Sequence, residues 1–229
     1  MMRITARALA LVGLLIFSFS TSAAAQGGLL SFGGDSRNPS LTIAPSEIQI
    51  DMPLPPMDSA DLALLLAQAG KGGGLASMKE AAVRKYRQYL EGELDSRLRA
   101  FFVGEEVPLV DKGGQLSLHS ALDLAVIKHF NNLQSESGYD LERGTVELEG
   151  SVHYRVKDHS GRQLLEETLD IKRLKIREKY QVRTPKNGGA VEDTTEQAIK
   201  QALSRMAKEL VDKMEDELEA DELRDLLTE

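Results

Sequence analysis

The fold turns on the reading of GTVELEGSVHYRVKDHSGRQLLEETLDIKRLKIREKYQV, residues 144–182. Val146, Leu148, Val152, Tyr154 and Val156 share one parity, and Glu147, Glu149, His153 and Arg155 share the other. Successive side chains of a strand point to opposite faces, so this pattern is a strand with one dry and one wet face. Gly150 falls on the dry parity, where a glycine marks a bulge or a close backbone approach. Asp158-His159-Ser160-Gly161 is a turn sequence. On the return, Leu165, Leu169 and Ile171 keep one parity, whereas Leu174, Ile176, Tyr180 and Val182 take the other. A period-two element cannot bury both sets on one face. The sequence therefore predicts a bulge or bend near Lys172-Arg173, or two shorter strands with a break there. A lone hairpin is marginal in water, so further strands or packed helices are required. The expected fold class is α+β: a small antiparallel sheet built on a long hairpin, about residues 145–183, with two or three amphipathic helices on one face.

Downstream, Asp193 with Glu196 three residues later can cap a helix. Ile199, Leu203, Met206, Leu210, Met214 and Leu218 form its stripe. The helix is expected to run from Thr194 to at least Leu218 and toward Leu227. Its last turns are acidic, and a helix that long outruns an ordinary sheet, so this end must fray, fold back or meet a partner. Leu223, Leu226 and Leu227 are candidate partner-binding residues there, and weak self-association through this end is a minor expectation.

Upstream, Leu122, Val126, Phe130 and Leu133 suggest a helix over Leu118 to Leu133, with His119 and His129 nearly three turns apart on it. A further helix is expected from Ser77 to about Phe102. Ser77 and Glu80 have capping-box spacing, and Ala82, Tyr86, Leu90, Leu94, Leu98 and Phe101 recur every three or four residues. Gly92 is read as a close crossing. Between a proline cluster and a glycine run lies a leucine-rich piece, Asp58 to Ala69. It is read as a movable lid or partner-binding helix, with Leu62, Leu65 and Leu66 as candidate contacts. Leu41-Thr42-Ile43 and Ile48-Gln49-Ile50 are read as short strands, the second at an edge.

The amino end reads as a bacterial signal peptide. Arg3 and Arg7 precede an apolar run, Ala8 to Phe19, and Ser22-Ala23-Ala24-Ala25 offers small residues for cleavage. The apolar run is short of the roughly 20 residues of a membrane span. A retained amino-terminal anchor is the alternative. The expected organisation is a signal peptide over residues 1–25, a flexible lead-in over 26–39, and one α+β domain over 40–229. There is no cysteine, which excludes disulfides, thiol catalysis, cysteine metal sites and a lipidated cysteine. The net charge of -8 argues against nucleic acid.

No nucleophile elbow, zinc-helix motif, calcium loop or dinucleotide fingerprint occurs. No catalytic, cofactor-binding or metal-ligating residue is therefore assigned, no cofactor is expected, and the chain is read as a non-enzyme. Glu147 and Glu149 share a strand face, but acid/base work would require one of them buried with a raised pKa.

An exported leader, the segment Ser40-Leu41-Thr42-Ile43-Ala44-Pro45, a helix, a long charged hairpin and a terminal amphipathic helix follow in order. This layout resembles the YajG-like lipoproteins and the auxiliary lipoproteins of bacterial envelope transport systems. The resemblance implies an α+β domain at the outer membrane with a non-catalytic assembly or transport-support role. The chain departs from these families in lacking the lipobox cysteine, which points to periplasmic residence without an anchor. The expected function is a periplasmic accessory or interaction protein of the cell envelope, with an envelope protein as partner. The alternative is a binder of lipid or another small hydrophobic ligand, held between hairpin and helices.

Overall fold

The computed structural model describes residues 38–53 and 74–228. In chain order these form β1 (Leu41–Ile43), β2 (Glu47–Asp51), α1 (Gly74–Gly104), β3 (Leu116–Ser135), β4 (Tyr139–Asp158) and β5 (Gln163–Asp170). A 3-10 turn (Ile171–Leu174), β6 (Arg177–Pro185), β7 (Glu192–Asp193), α2 (Thr195–Leu218) and α3 (Ala220–Asp225) follow. The architecture is α+β, one seven-stranded sheet with the helices on one face.

Two long strands are the spine. β3 and β4 pair antiparallel from Leu116 opposite Asp158 to Ser135 opposite Asp140. Each carries two short strands, end to end, along its other edge. β1 and β2 run parallel to β3, at Leu116–Leu118 and Ala121–Ala125. β5 and β6 run antiparallel to β4, and β7 pairs with β6. The sheet is thus mixed, not purely antiparallel, and both amino-terminal segments form strands as expected.

The helix expected over Leu118 to Leu133 is instead β3. Leu118, Leu122, Val126 and Phe130 are four residues apart, and four is a multiple of both the strand period and, nearly, the helical turn. Leu116 and Leu124 decide between the two. Both are fully buried on the same face as Leu118 and Leu122. On a helix, Leu124 would point away from Leu122.

The return arm breaks where its parity changes. Asp170 accepts the backbone N–H of Lys172 at 2.9 Å and opens the 3-10 turn, and Lys175 closes it with φ 53°. The break lets Ile171 and Ile176, of opposite parity, both be fully buried. Gly150 is the expected close approach. Its φ is +135°, and a Cβ there would lie 2.0 Å from the Asp123 carbonyl oxygen. Gly92 is not a crossing point, since a Cβ would meet nothing within 4 Å.

α1 begins three residues ahead of Ser77, whose hydroxyl donates to the Gly74 carbonyl at 2.9 Å. Its buried stripe is Tyr86, Leu90, Leu94, Leu98 and Phe102. α2 buries the whole expected stripe; its N-cap is Thr194 and not the expected Asp193, which lies one residue ahead and accepts the Thr195 N–H at 2.7 Å. One end of the core joins Leu90, Leu94, Leu124, Leu148, Ile176 and Leu203. The other joins Leu41, Phe102, Leu118, Tyr154, Val156, Met214 and Leu218. The terminal helix stops at Leu218, and of the three outcomes expected for its acidic end the structure takes the fold-back. Glu219 is extended, at ψ 155°, and the chain folds back as α3 with Leu218, Ala220 and Leu223 buried. Arg224 binds Asn38 and Asp221, tying this end to the first described residues.

Candidate interaction surface

The cavities lined by described residues are grooves open to solvent. One, about 780 Å³, lies between α1 and α2 and includes Tyr89, Arg97, Lys200, Ser204 and Lys208. Its charges pair internally. Glu93 accepts from the Ser204 hydroxyl at 2.7 Å and from Arg97 at 3.1 Å, and these bonds hold its carboxyl below the usual range. Lys200 pairs with Glu196 at 2.9 Å. A second groove, about 580 Å³, runs between the far end of the β3–β4 hairpin and the start of α2. It includes Asn131, Asn132, Tyr180, Thr194, Gln197 and Gln201.

That far end is an arm built from Val126–Ser135 and the strand opposite. Tyr180 of β6 lies over Gly144 of β4, where a Cβ would come within 2.3 Å of the ring. The tyrosine hydroxyl donates to Glu142 at 2.8 Å. Lys128 reaches the same carboxylate at 3.1 Å and stands 4.3 Å from the Tyr180 ring centre. Burial opposes ionisation of Glu142, but the bonds from Tyr180 and Lys128 outweigh it and keep the carboxyl below its ordinary range. Burial and the adjoining Glu142 push the Tyr180 phenol up. The arm is thus braced inside, yet its rim is apolar and uncovered. The β3–β4 register shifts between Phe130 and Asn132, which sets Phe130 opposite Gly144 and Leu133 opposite Glu142 on the helix-facing side. They are 62% and 57% exposed. Among the described residues, no strand pairs with β3 beyond Ala125 on its other edge.

The sheet's opposite face is polar and carries its charges in pairs. Glu147 is bound by Arg177 at 2.9 Å and by His129 at 3.1 Å, and the Arg177 bond chiefly lowers its pKa. Glu149 pairs with Lys172 at 2.7 Å. His153 bonds Thr168 at 2.8 Å. Burial, then Lys157 and Arg155, lower the pKa of His119. Glu147 is therefore held ionised, the reverse of what a proton donor near neutrality needs. Among the described residues no three His, Asp or Glu side chains gather as a metal site.

Leu62, Leu65 and Leu66 lie outside the described residues. Of the carboxyl-terminal candidates, Leu223 is fully buried, Leu226 packs partly against the same cluster, and Leu227 is 37% exposed. Phe130 and Leu133 were missed, because a helix reading assigns both to a buried side. The signal that could have found them is the uncharged run FNNLQS, residues 130–135, in a chain where 28% of residues are charged.

No protein-family model matches the chain, and no curated protein matches it. Solved structures do. One is described as a neuraminyllactose-binding hemagglutinin homologue from Helicobacter pylori, at 12% identity and TM-score 0.49, covering 83% of this chain and 92% of that one. Another is a minor lipoprotein from Acinetobacter baumannii, at 13% identity and TM-score 0.28, covering 80% and 94%. A third is lipoprotein GNA1162 from Neisseria meningitidis, at 12% identity and TM-score 0.17, covering 78% and 99%. The likeness is distant. No family, YajG-like or other, and no binding or assembly role passes from these proteins to this chain.

Proposed function

We propose that this chain is a non-catalytic accessory protein of the bacterial cell envelope that works by binding another envelope protein. The observation that carries the reading is the pair of exposed apolar side chains at the far end of the hairpin. Phe130 and Leu133 stand exposed on a braced arm whose edge has no strand partner among the described residues. Exposed apolar side chains beside an unpaired strand edge favour protein contact, whereas a lipid carrier needs an enclosed aliphatic cavity. The grooves lined by described residues are open to solvent and do not enclose a ligand. The leader-like amino end supports export, and the lack of cysteine supports residence in the periplasm without a lipid anchor.

The test is capture of the protein from native periplasm after mild crosslinking, with mass spectrometry of proteins and lipids. A stoichiometric envelope protein crosslinked near the arm supports the reading. Recovery of a lipid with no protein partner replaces it with the carrier reading.

A further inference from the structure

We propose that the outer edge of β3 beyond Ala125 is a self-association edge, to which a second copy of the chain adds its own β3 antiparallel. An edge strand presents unpaired backbone N–H and C=O groups, and proteins blunt such edges with charge, proline or cover. The short strands here follow that rule. β2 carries Glu47 and Asp51 and is followed by Pro53. β5 carries Glu166, Glu167 and Asp170, β6 is rich in charge and ends on Pro185, and β7 is Glu192-Asp193. The run from Phe130 to Ser135 has neither charge nor proline. In a chain of net charge -8, it is an edge that meets its own copy without setting like charges opposite one another.

The edge is also self-complementary. His129-Phe130-Asn131-Asn132-Leu133-Gln134 reads the same in both directions by side-chain class: polar, apolar, amide, amide, apolar, polar. Two-fold pairing requires this, because each patch must match itself reversed. An axis between Asn131 and Asn132 sets Phe130 against Leu133 of the second copy, twice, with the amides paired at the centre. Phe130 and Leu133 have opposite parity and would normally face opposite ways. The register shift around Asn131 brings both to the helix-facing side. An axis normal to the sheet keeps the helix-facing sides of both copies together, so the two apolar pairs lie on one surface.

This inference gives the edge used in the envelope reading a second copy of the chain as its occupant, and the two are separated by whether pairing occurs in the purified protein alone. It is tested by sedimentation velocity on protein purified from cells expressing the full sequence, up to about 200 μM, a range that detects weak dimers. The expected result is a concentration-dependent dimer. Leu133→Lys or Asn132→Lys should weaken it by about tenfold or more through like charge at the axis, whereas Glu192→Lys in β7 should not. Thermal unfolding of each variant at low concentration keeps a loss of pairing distinct from a loss of fold. Because the chain has no cysteine, His129→Cys and Gln134→Cys variants can be mixed under mild oxidation. They should form a mixed disulfide in excess of either variant alone. A monomer throughout the range, or a dimer indifferent to Leu133→Lys, overturns the proposal. So does protection of residues 126–135 from hydrogen exchange only when a different polypeptide is added.

Discussion

Single side chains tie the layers of this protein together, and their loss should be measurable. The Tyr154 ring is fully buried, and its hydroxyl donates to Glu217 on α2, so one bond joins the sheet to the last turns of the helix. Tyr154→Phe should cost about 1.5–3 kcal/mol in urea unfolding, the usual range for a bond to a charged acceptor. Asp158 closes the β4–β5 turn by accepting from the Ser160 hydroxyl at 2.6 Å, the Ser160 N–H at 2.8 Å and the Arg162 N–H at 2.9 Å. These bonds, the Ser160 hydroxyl first, lower its pKa from 3.8 to about 2. A carboxyl depressed by folding stabilises the fold above its unfolded pKa and loses that contribution as pH falls through the folded value. The urea midpoint should therefore drop between about pH 4 and pH 2, and Asp158→Asn should flatten that limb. A limb of the same slope in both proteins would show that the turn does not couple to acid unfolding.

At the scale of elements, the break at Glu219 and the brace on the arm make separate claims. Leu223→Ala removes a fully buried side chain and should destabilise the protein by about 2–4 kcal/mol. Leu227→Ala should stay within about 0.5 kcal/mol. Equal effects in denaturant would mean that α3 is not folded back in solution. Gly144→Ala should cost about 2 kcal/mol or more, because the new Cβ meets both the Tyr180 ring and the His129 carbonyl oxygen within 2.3 Å. The elements also show what the sequence made legible. The turn at Asp158–Gly161, the break near Lys172, both long outer helices and the two short amino-terminal strands follow from local pattern. β3 did not, because a four-residue repeat satisfies both periods until Leu116 and Leu124 are weighed. The parallel pairing of β1 was equally hidden, since nothing near Leu41 announces that its neighbour is Leu116. The candidate surface was obscured by the same misreading, which turned an exposed rim into the supposed buried side of a helix.

For the whole molecule, the two ends of the core share α2 and the β3–β4 spine, so they should melt together. There is no tryptophan, but Tyr86 and Tyr180 report one end and Tyr154 the other. Tyrosine near-UV circular dichroism and the far-UV signal should give coincident unfolding curves. Two transitions would mean that the ends are separate cooperative units. The same connectivity sets a schedule. The β3–β4 hairpin closes over a short turn, whereas Leu41 waits for a neighbour on the far side of α1. Closing the longer loop costs more chain entropy before any contact repays it. Synthesis produces β1 and β2 early, yet they can join the sheet only after β3 has been made. Substitutions at Leu41 should leave the refolding rate nearly unchanged and accelerate unfolding, while those at Leu148 should slow refolding. The first strands to be made would then be among the last to be secured, leaving an open template on β3 for as long as they remain undocked.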